Sequence, residues 1–226
     1  MEIAENPFAT GAVLLIDKPL EWTSFQVVSK VRWLTKTKKV GHAGTLDPLA
    51  TGLLIVCTGK FTKRINEFMA QEKEYTGTIT LGASTPTYDL ESEPENFKST
   101  NKVSEPDVLR VVQQFTGNIM QVPPLYSAIK VGGKPVYSLA RQGKAVKLEP
   151  RAVVIKEFET TLNRDTIHFR VVCSTGTYIR SLANDVGAAL GCGGYLSSLR
   201  RTRIGAHLVT DAETPQQLEA RLRKDK

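Results

Sequence analysis

The chain has 226 residues, of which 41% are hydrophobic, and its 30 lysines and arginines outnumber 23 aspartates and glutamates, so the formal net charge is +7. This apolar content excludes a disordered or collagen-like chain and is enough for one large domain. A basic surface is compatible with a polyanionic partner, although charge alone does not identify one. No apolar run is long enough to cross a bilayer, and the acidic N-terminus is unlike a signal peptide, so we expect a soluble, cytoplasmic protein.

The sequence lacks the patterns of metal, nucleotide and dinucleotide sites. Three cysteines without a CxxC pair predict buried free thiols in a reducing compartment rather than disulfides or a zinc site. The chain contains no HExxH, no GxxxxGK[ST], no GxSxG and no glycine-rich strand-to-helix turn with a following acidic residue. We therefore expect neither a metal nor a cofactor.

The N-terminal segment predicts a strand followed by a helix. Residues 12–16, AVLLI, form a continuous apolar run that ends at 17–19, DKP. Thr23 and Gln26 have the spacing of a capping box, which predicts the start of a helix. The next apolar residues recur at helical spacing and predict its buried face: Val27, Val31 and Leu34.

Residues 41–52, GHAGTLDPLATG, have neither a helical nor a strand period. Their glycines and Pro48 predict a rigid loop that leads into a buried strand at 53–57. An Asp-Pro pair by itself is a common turn, so Asp47 alone is weak evidence for catalysis. Because it lies in a constrained loop that also contains His42, after a basic helix, Asp47 is nevertheless the best candidate for a catalytic residue.

The middle of the chain predicts a strand, a loop and a helix. Residues 74–82 alternate between apolar and polar side chains, with Tyr75 on the apolar face, which is typical of an antiparallel strand. The polar, acidic residues 84–102 predict a mobile surface loop. Ser104 and Asp107 have the spacing of another capping box and predict the next helix.

The C-terminal half returns to strands. Residues 122–150 predict an irregular arm with a short helix near 135–142, and strands are expected at 151–158 and 166–173. A basic segment at 199–209 runs into a strand, and the last dozen residues form an amphipathic helical end. Strands and helices do not alternate regularly, which predicts an α+β fold with a mixed, largely antiparallel central sheet flanked by helices and loops.

Arg180 is expected in the first turn of a helix capped by Thr177. A cation at that position is disfavoured by the helix dipole, which indicates an anionic partner, either a carboxylate or a phosphate. If the partner is Asp47, the pKa of that carboxyl group would be lowered; the alternative is an ordinary structural salt bridge. Tyr75 and Tyr178 are either core residues or stacking platforms for an extruded base.

Residues 41–52 closely resemble the catalytic motif of the TruB-type tRNA pseudouridine synthases. The dyskerin group, which belongs to the same superfamily, has the same segment. Four more segments are similar to the family's motifs and occur in its order along nearly the whole chain: LLIDKP at 14–19, KEYTGTITLG at 73–82, STGTYIRSLANDVG at 174–187 and GGYLSSLRRTRIG at 193–205.

The resemblance implies the pseudouridine synthase fold and a role for each matching residue. Asp47 would be the catalytic aspartate, paired with Arg180. His42 would hold the displaced RNA loop and the flipped nucleotide, and Tyr75 would stack on the target uracil. Two further residues would line the base pocket: Tyr178 and Leu199.

The resemblance also implies one catalytic domain over residues 1–226, with the arm at about 122–150, which contains Lys130, gripping the RNA like a thumb. The expected partner is the T-arm of tRNA, and we expect a monomer without an obligate protein partner. Thr175 stands where the family usually has lysine. The chain ends before a C-terminal PUA domain of the kind that many bacterial members carry, so we expect weaker reach beyond the T-arm.

The implied activity is isomerisation of uridine 55 in the T loop, by base flipping, cleavage of the C1′–N1 bond and formation of a C1′–C5 bond. The carboxylate would attack C1′, stabilise an oxocarbenium-like centre or abstract a sugar proton. The alternatives are a glycosylase that releases the base and an RNA-binding or tRNA-folding chaperone of the same fold. An RNA methyltransferase is less compatible, because no glycine-rich cofactor loop is present.

Overall fold

The computed structural model describes residues 6–127, 130–131, 134–135 and 148–224. They form two compact units, and the strands β4 and β10, whose bounds follow, each run from one unit into the other. The first unit consists of the residues up to Tyr75 and from Leu199 onward, and the second of residues 76–198.

The elements follow each other in chain order. The first half contains α1 (Pro7–Thr10), β1 (Val13–Lys18), α2 (Ser24–Thr35), β2 (Val40–His42), β3 (Ala50–Thr58), a 3-10 helix (Gly59–Arg64), α3 (Ile65–Ala70), β4 (Lys73–Leu81) and α4 (Glu105–Gln114). The second half contains β5 (Gly117–Gln121), β6 (Lys130–Val131), β7 (Lys134–Pro135), β8 (Arg151–Asn163), β9 (Thr166–Cys173), α5 (Ile179–Ala189), β10 (Gly194–Ile204), β11 (His207–Leu208), a 3-10 turn (Val209–Asp211) and α6 (Pro215–Lys224).

Strand β3 is the centre of the first unit. It pairs antiparallel with β1 and β2 and parallel with β10, so that Leu199 lies opposite Ala50. Its successive residues alternate between two apolar clusters, which explains why its sequence is continuously apolar. Leu54 and Val56 pack with residues of β1, α2 and α6 on one side, and Leu53 and Ile55 pack with Phe68 of α3 on the other.

The second unit has the strand order β10-β4-β9-β8-β5. Strands β8 and β9 form an antiparallel hairpin with an irregularity between Ile155 and Glu157, and β5 pairs antiparallel with β8. The mixed, largely antiparallel sheet that the sequence predicted is thereby confirmed. The parallel β3–β10 pair joins residues far apart in the chain and could not be predicted from local patterns.

Several local predictions are confirmed. The capping box of Thr23 and Gln26 starts α2, and that of Ser104 and Asp107 starts α4. All three cysteines are free and buried. Tyr75 and the other apolar residues of β4 are buried, as the alternation predicted.

Other predictions were wrong in their bounds or character. The loop predicted at 41–52 spans only 43–49, because its flanking residues pair with neighbouring strands. Thr177 does not cap α5: the N-cap is Tyr178, and the Thr177 hydroxyl donates to the Ser174 carbonyl. Residues 84–102 are not merely a mobile surface loop, because Asp89 in their midst is buried.

Within the predicted arm, Pro135 belongs to β7, and residues 136–142 of the expected short helix lie outside the described part of the chain. No helix among the described residues is long and apolar enough to span a membrane.

Candidate active site

Asp47 lies in the short loop at 43–49 between β2 and β3, and it is partly exposed. The residue before it is fixed by α2: the Ser24 hydroxyl accepts from the Leu46 amide at 2.9 Å and donates to the Leu46 carbonyl at 3.1 Å. The Asp47 carbonyl accepts from the Ala50 amide at 3.1 Å, which closes the turn into β3. The backbone at Asp47 is therefore held in place, and the residue is partly exposed.

The residue after Asp47 is fixed from the other side. The Pro48 carbonyl accepts from the Glu21 amide at 2.9 Å and from Lys18 Nζ at 3.3 Å. Lys18 is 0% exposed, and its ammonium group also donates to the Pro19 and Trp22 carbonyls. Burial lowers the pKa of Lys18 to about 8, the negative charge of Asp47 opposes that shift, and the nearby Arg201 adds to it. Lys18 is therefore a cation at neutral pH within electrostatic range of Asp47.

Arg201 is a second buried cation at this loop, and sequence reasoning assigned it no role. Its Nη2 donates to the Gly44 carbonyl at 3.0 Å, and its Nε donates to the Leu53 carbonyl at 2.7 Å. These two carbonyls lie on either side of Asp47 in the chain, so one guanidinium group links the start of the loop to strand β3. The parallel register places Arg201 opposite Gly52, where no side chain would fit.

His42 ends β2 immediately before the loop. Burial and the positive charge of Arg201 lower its pKa, so the imidazole is neutral at physiological pH. Its Nδ1 is buried and has no hydrogen-bond partner among the described residues. A neutral ring of this kind can stack or form one hydrogen bond, but it does not supply a positive charge to phosphate.

Two other predicted site residues belong to the first unit. Leu199 pairs in parallel register with Ala50, three positions after Asp47, and the structure therefore brings it to the end of the loop that contains Asp47. Tyr75 lies in β4 and is buried. Its predicted stacking on a uracil stays a prediction.

Arg180 lies in the first turn of α5, as predicted, and it is buried in the second unit. Its Nε lies 3.6 Å from Oδ2 of the buried Asp89, and its guanidinium group donates to the carbonyls of Thr87 and Tyr126. The anionic partner that the helix dipole indicated thus includes Asp89, which the sequence analysis missed. The only sequence signal was an acidic residue within TPTYDLESEP. Asp47 belongs to the other unit, and its pairing with Arg180 stays a prediction.

Tyr178 is held by a buried glutamine. The side chain of Gln121 accepts from the Tyr178 amide at 2.8 Å and donates to its carbonyl at 3.0 Å, which orients the residue that begins α5. The guanidinium carbon of Arg151 lies 4.6 Å from the centroid of the half-buried Tyr178 ring. Gln121 and Arg151 thus hold Tyr178 at the start of α5.

Lys130 lies in the short strand β6, which pairs with β7.

Among the described residues, no three His, Cys, Asp or Glu side chains are grouped so as to hold a metal ion. In the first unit, the carboxylate of Asp47 and the guanidinium group of Arg201 lie within electrostatic range of the buried Lys18.

Several known proteins are similar to this chain in sequence or in fold. The profile described as "TruB family pseudouridylate synthase (N terminal domain)" matches residues 32–179, and that described as "tRNA pseudouridylate synthase B C-terminal domain" matches residues 180–226. The chain is 52% identical over 213 residues to a protein from Flavobacterium johnsoniae, covering 91% of this chain and 93% of that one. It is 48% identical over 219 residues to one from Parabacteroides distasonis, covering 94% and 93% respectively. Both relatives are named tRNA pseudouridine synthase B.

Among solved structures, a chain of "Crystal Structure of a Cbf5-Nop10-Gar1 Complex" superposes with a TM-score of 0.68 at 32% identity. The match covers 88% of this chain and 50% of that one, so the present chain spans half the length of its structural neighbour.

Proposed function

Because the chain belongs to the TruB family of pseudouridylate synthases, we propose that it isomerises a uridine of tRNA to pseudouridine, with uridine 55 of the T loop as the target and Asp47 as the catalytic carboxylate. The reaction breaks the C1′–N1 bond and forms a C1′–C5 bond, without a net redox change. The observation that carries the proposal is the loop at 43–49, in which the backbone is held immediately before and after a partly exposed aspartate.

A held backbone matters because the reaction needs the carboxylate in one place relative to the sugar. Small displacements of a reacting group reduce rates by orders of magnitude. Ser24 and Glu21 hold the loop by hydrogen bonds to its backbone, and Arg201 links its start to strand β3. Each of the two buried cations, Lys18 and Arg201, donates to a backbone carbonyl of this loop.

The electrostatics favour an ionised Asp47. The positive charge of Lys18 lies within range of the carboxylate, and a nearby cation stabilises the charged form. Attack on C1′, stabilisation of an oxocarbenium-like centre and abstraction of a sugar proton all require the anion. The supporting residues thus match the requirement that these three routes share.

The remaining assignments follow the family resemblance. We propose that Tyr75 stacks on the flipped uracil, that Tyr178 and Leu199 line its pocket, and that Arg180 pairs with Asp47. Two observations support the roles of Tyr178 and Leu199: the hydrogen bonds between Gln121 and the Tyr178 backbone, and the pairing of Leu199 with Ala50. His42 would contact the flipped nucleotide as a neutral ring.

The proposal also covers the RNA-binding arm, the cellular compartment and the oligomeric state. The segment at about 122–150, including Lys130, would grip the T-arm like a thumb. We propose a cytoplasmic monomer without an obligate protein partner; three buried free thiols are compatible with a reducing compartment. Light scattering of the purified chain, alone and with tRNA, tests the monomer.

The decisive experiment incubates the purified chain with an unmodified tRNA transcript and maps pseudouridine. We expect a retained isomer at position 55 and no free uracil, because a glycosylase would release the base. Asp47→Asn, which preserves shape and removes the anion, should bind tRNA with nearly unchanged affinity and form no product. Asp165→Asn, in an exposed turn, is the matched control and should act like the wild type.

Two results would contradict the proposal. Appreciable turnover by Asp47→Asn would remove the catalytic assignment. Binding of tRNA by the wild type without any product would instead favour the RNA-binding or chaperone role.

A further inference from the structure

Two large apolar side chains project into solvent on either side of the N-cap of α2. Leu20 is 54% exposed and Phe25 is 67% exposed. Single exposed apolar residues are common on protein surfaces and need no explanation by themselves. The position of these two, on the segment that supports the catalytic loop, is what distinguishes them.

The segment at 18–25 is tied to the loop at several points. The Glu21 amide donates to the Pro48 carbonyl, and the Ser24 hydroxyl bonds the backbone of Leu46. Glu21 has a φ of 65°, a left-handed conformation that non-glycine residues seldom adopt. A backbone held in this way presents Leu20 and Phe25 as rigid projections bordering the loop that contains Asp47.

The charge that follows these side chains along the chain is complementary to a polyanion. Glu21, next to Leu20, is acidic and exposed, but residues 22–46 contain five lysines and arginines and neither aspartate nor glutamate. Arg32 follows Phe25 by seven residues, which places it two turns further along the same face of α2, and Lys36 is the exposed C-cap residue of that helix. Exposed apolar side chains followed by basic residues suit a nucleic acid with unstacked bases, because the bases can contact the apolar groups while the phosphates contact the cations.

We propose that Leu20 and Phe25 contact the unstacked T-loop nucleotides next to the target uridine, and that Arg32 and Lys36 meet the phosphates of the same loop. This inference rests on the proposed function: when the target flips into its site, its neighbours lose a stacking partner. The Phe25 ring replaces part of that stacking, and Leu20 occupies the gap as an apolar wedge. The two side chains thereby lower the free-energy cost of extruding the target.

The test compares Phe25→Ser with Trp33→Ser in an Asp47→Asn background, where binding is measured without turnover. Trp33 is a matched control, because it is an aromatic residue on the same helix and is 65% exposed. One stacked base corresponds to an affinity change of about 5- to 150-fold. We expect a loss in that range for Phe25→Ser on a T stem-loop RNA, a loss of less than about 2-fold for Trp33→Ser, and recovery by Phe25→Tyr.

A second RNA separates base contact from a structural effect. With abasic sugars at the nucleotides flanking the target, Phe25→Ser should cost nothing further, because the partner of the ring is already gone. An equal loss on intact and abasic RNA would overturn the proposal, as would equal affinities of the Phe25→Ser variant and its parent for intact RNA. Unfolding midpoints of the variants should match, since the substituted side chain is exposed.

The same experiment distinguishes this proposal from the proposed function. Pseudouridine formation by the unsubstituted chain on the intact stem-loop is measured first. If product forms, and if Phe25→Ser leaves binding unchanged in the Asp47→Asn background and leaves the single-turnover rate unchanged when Asp47 is intact, only the contact surface is refuted. If the unsubstituted chain forms no product, the function itself fails.

Discussion

The buried ammonium group of Lys18 should make the stability of the protein depend on pH in a specific way. The folded chain lowers the pKa of Lys18 from 10.5 to about 8. Between these two values the unfolded chain binds more protons than the folded one, so the free energy of unfolding rises with pH across that window. The contribution is complete above pH 10.5 and is lost as the pH falls through about 8.

The magnitude follows from the size of the shift. Each pKa unit corresponds to about 1.4 kcal/mol, so the shift of Lys18 is worth about 3 kcal/mol over the whole window. Lys18→Met removes the titrating group and keeps the length of the side chain. We therefore expect the stability of the wild type, relative to Lys18→Met, to increase by about 3 kcal/mol between pH 7.5 and 11.

Urea unfolding of both proteins at a series of pH values measures this difference, in which the titrations of all other groups largely cancel. Lys60→Met, at an exposed position of the 3-10 helix, controls for the loss of a lysine. A constant difference between wild type and Lys18→Met across the series would refute the reasoning. It would show that the ammonium group is solvated, and that Pro48 is not held by a buried cation.

Three further predictions concern stability and binding. Gly52→Ala should lower the free energy of unfolding in urea by about 3 kcal/mol or more, because the added Cβ would lie 2.3 Å from a carbonyl oxygen of β10. The control Gly191→Ala, at a glycine that also has positive φ but nothing within 4 Å, should lower it by about 1 kcal/mol. Equal losses for the two variants would exclude the clash. Asp89→Asn should destabilise the fold by about 3 kcal/mol by leaving Arg180 with one anion fewer, and unchanged unfolding would mean that the backbone carbonyls suffice. Affinity for tRNA should fall as salt rises, and Lys36→Gln should reduce the slope of log K against log salt by about 0.7 to 0.9; an unaltered slope would place that lysine away from phosphate.

Local sequence patterns were sufficient for most elements of the fold. The two capping boxes use contacts between residues three apart, and the strand around Tyr75 shows its buried face by simple alternation. These features depend on short stretches of chain, so the residues themselves specify them. The loop around Asp47 was recognisable for the same reason, because its glycines and proline favour particular backbone angles.

The tertiary structure decided how that loop is held. Lys18 and Arg201 look like ordinary basic residues in the sequence, where a charge predicts solvent, yet both are buried against backbone carbonyls. Asp89 seemed to belong to a polar surface loop and instead faces Arg180. Each of these contacts joins residues distant in the chain, and no periodicity records such a pairing. The sequence alone thus identified Asp47 as the candidate for catalysis, and only the folded chain showed which buried charges lie around its loop, because burial and the choice of partner depend on the packing of the whole chain.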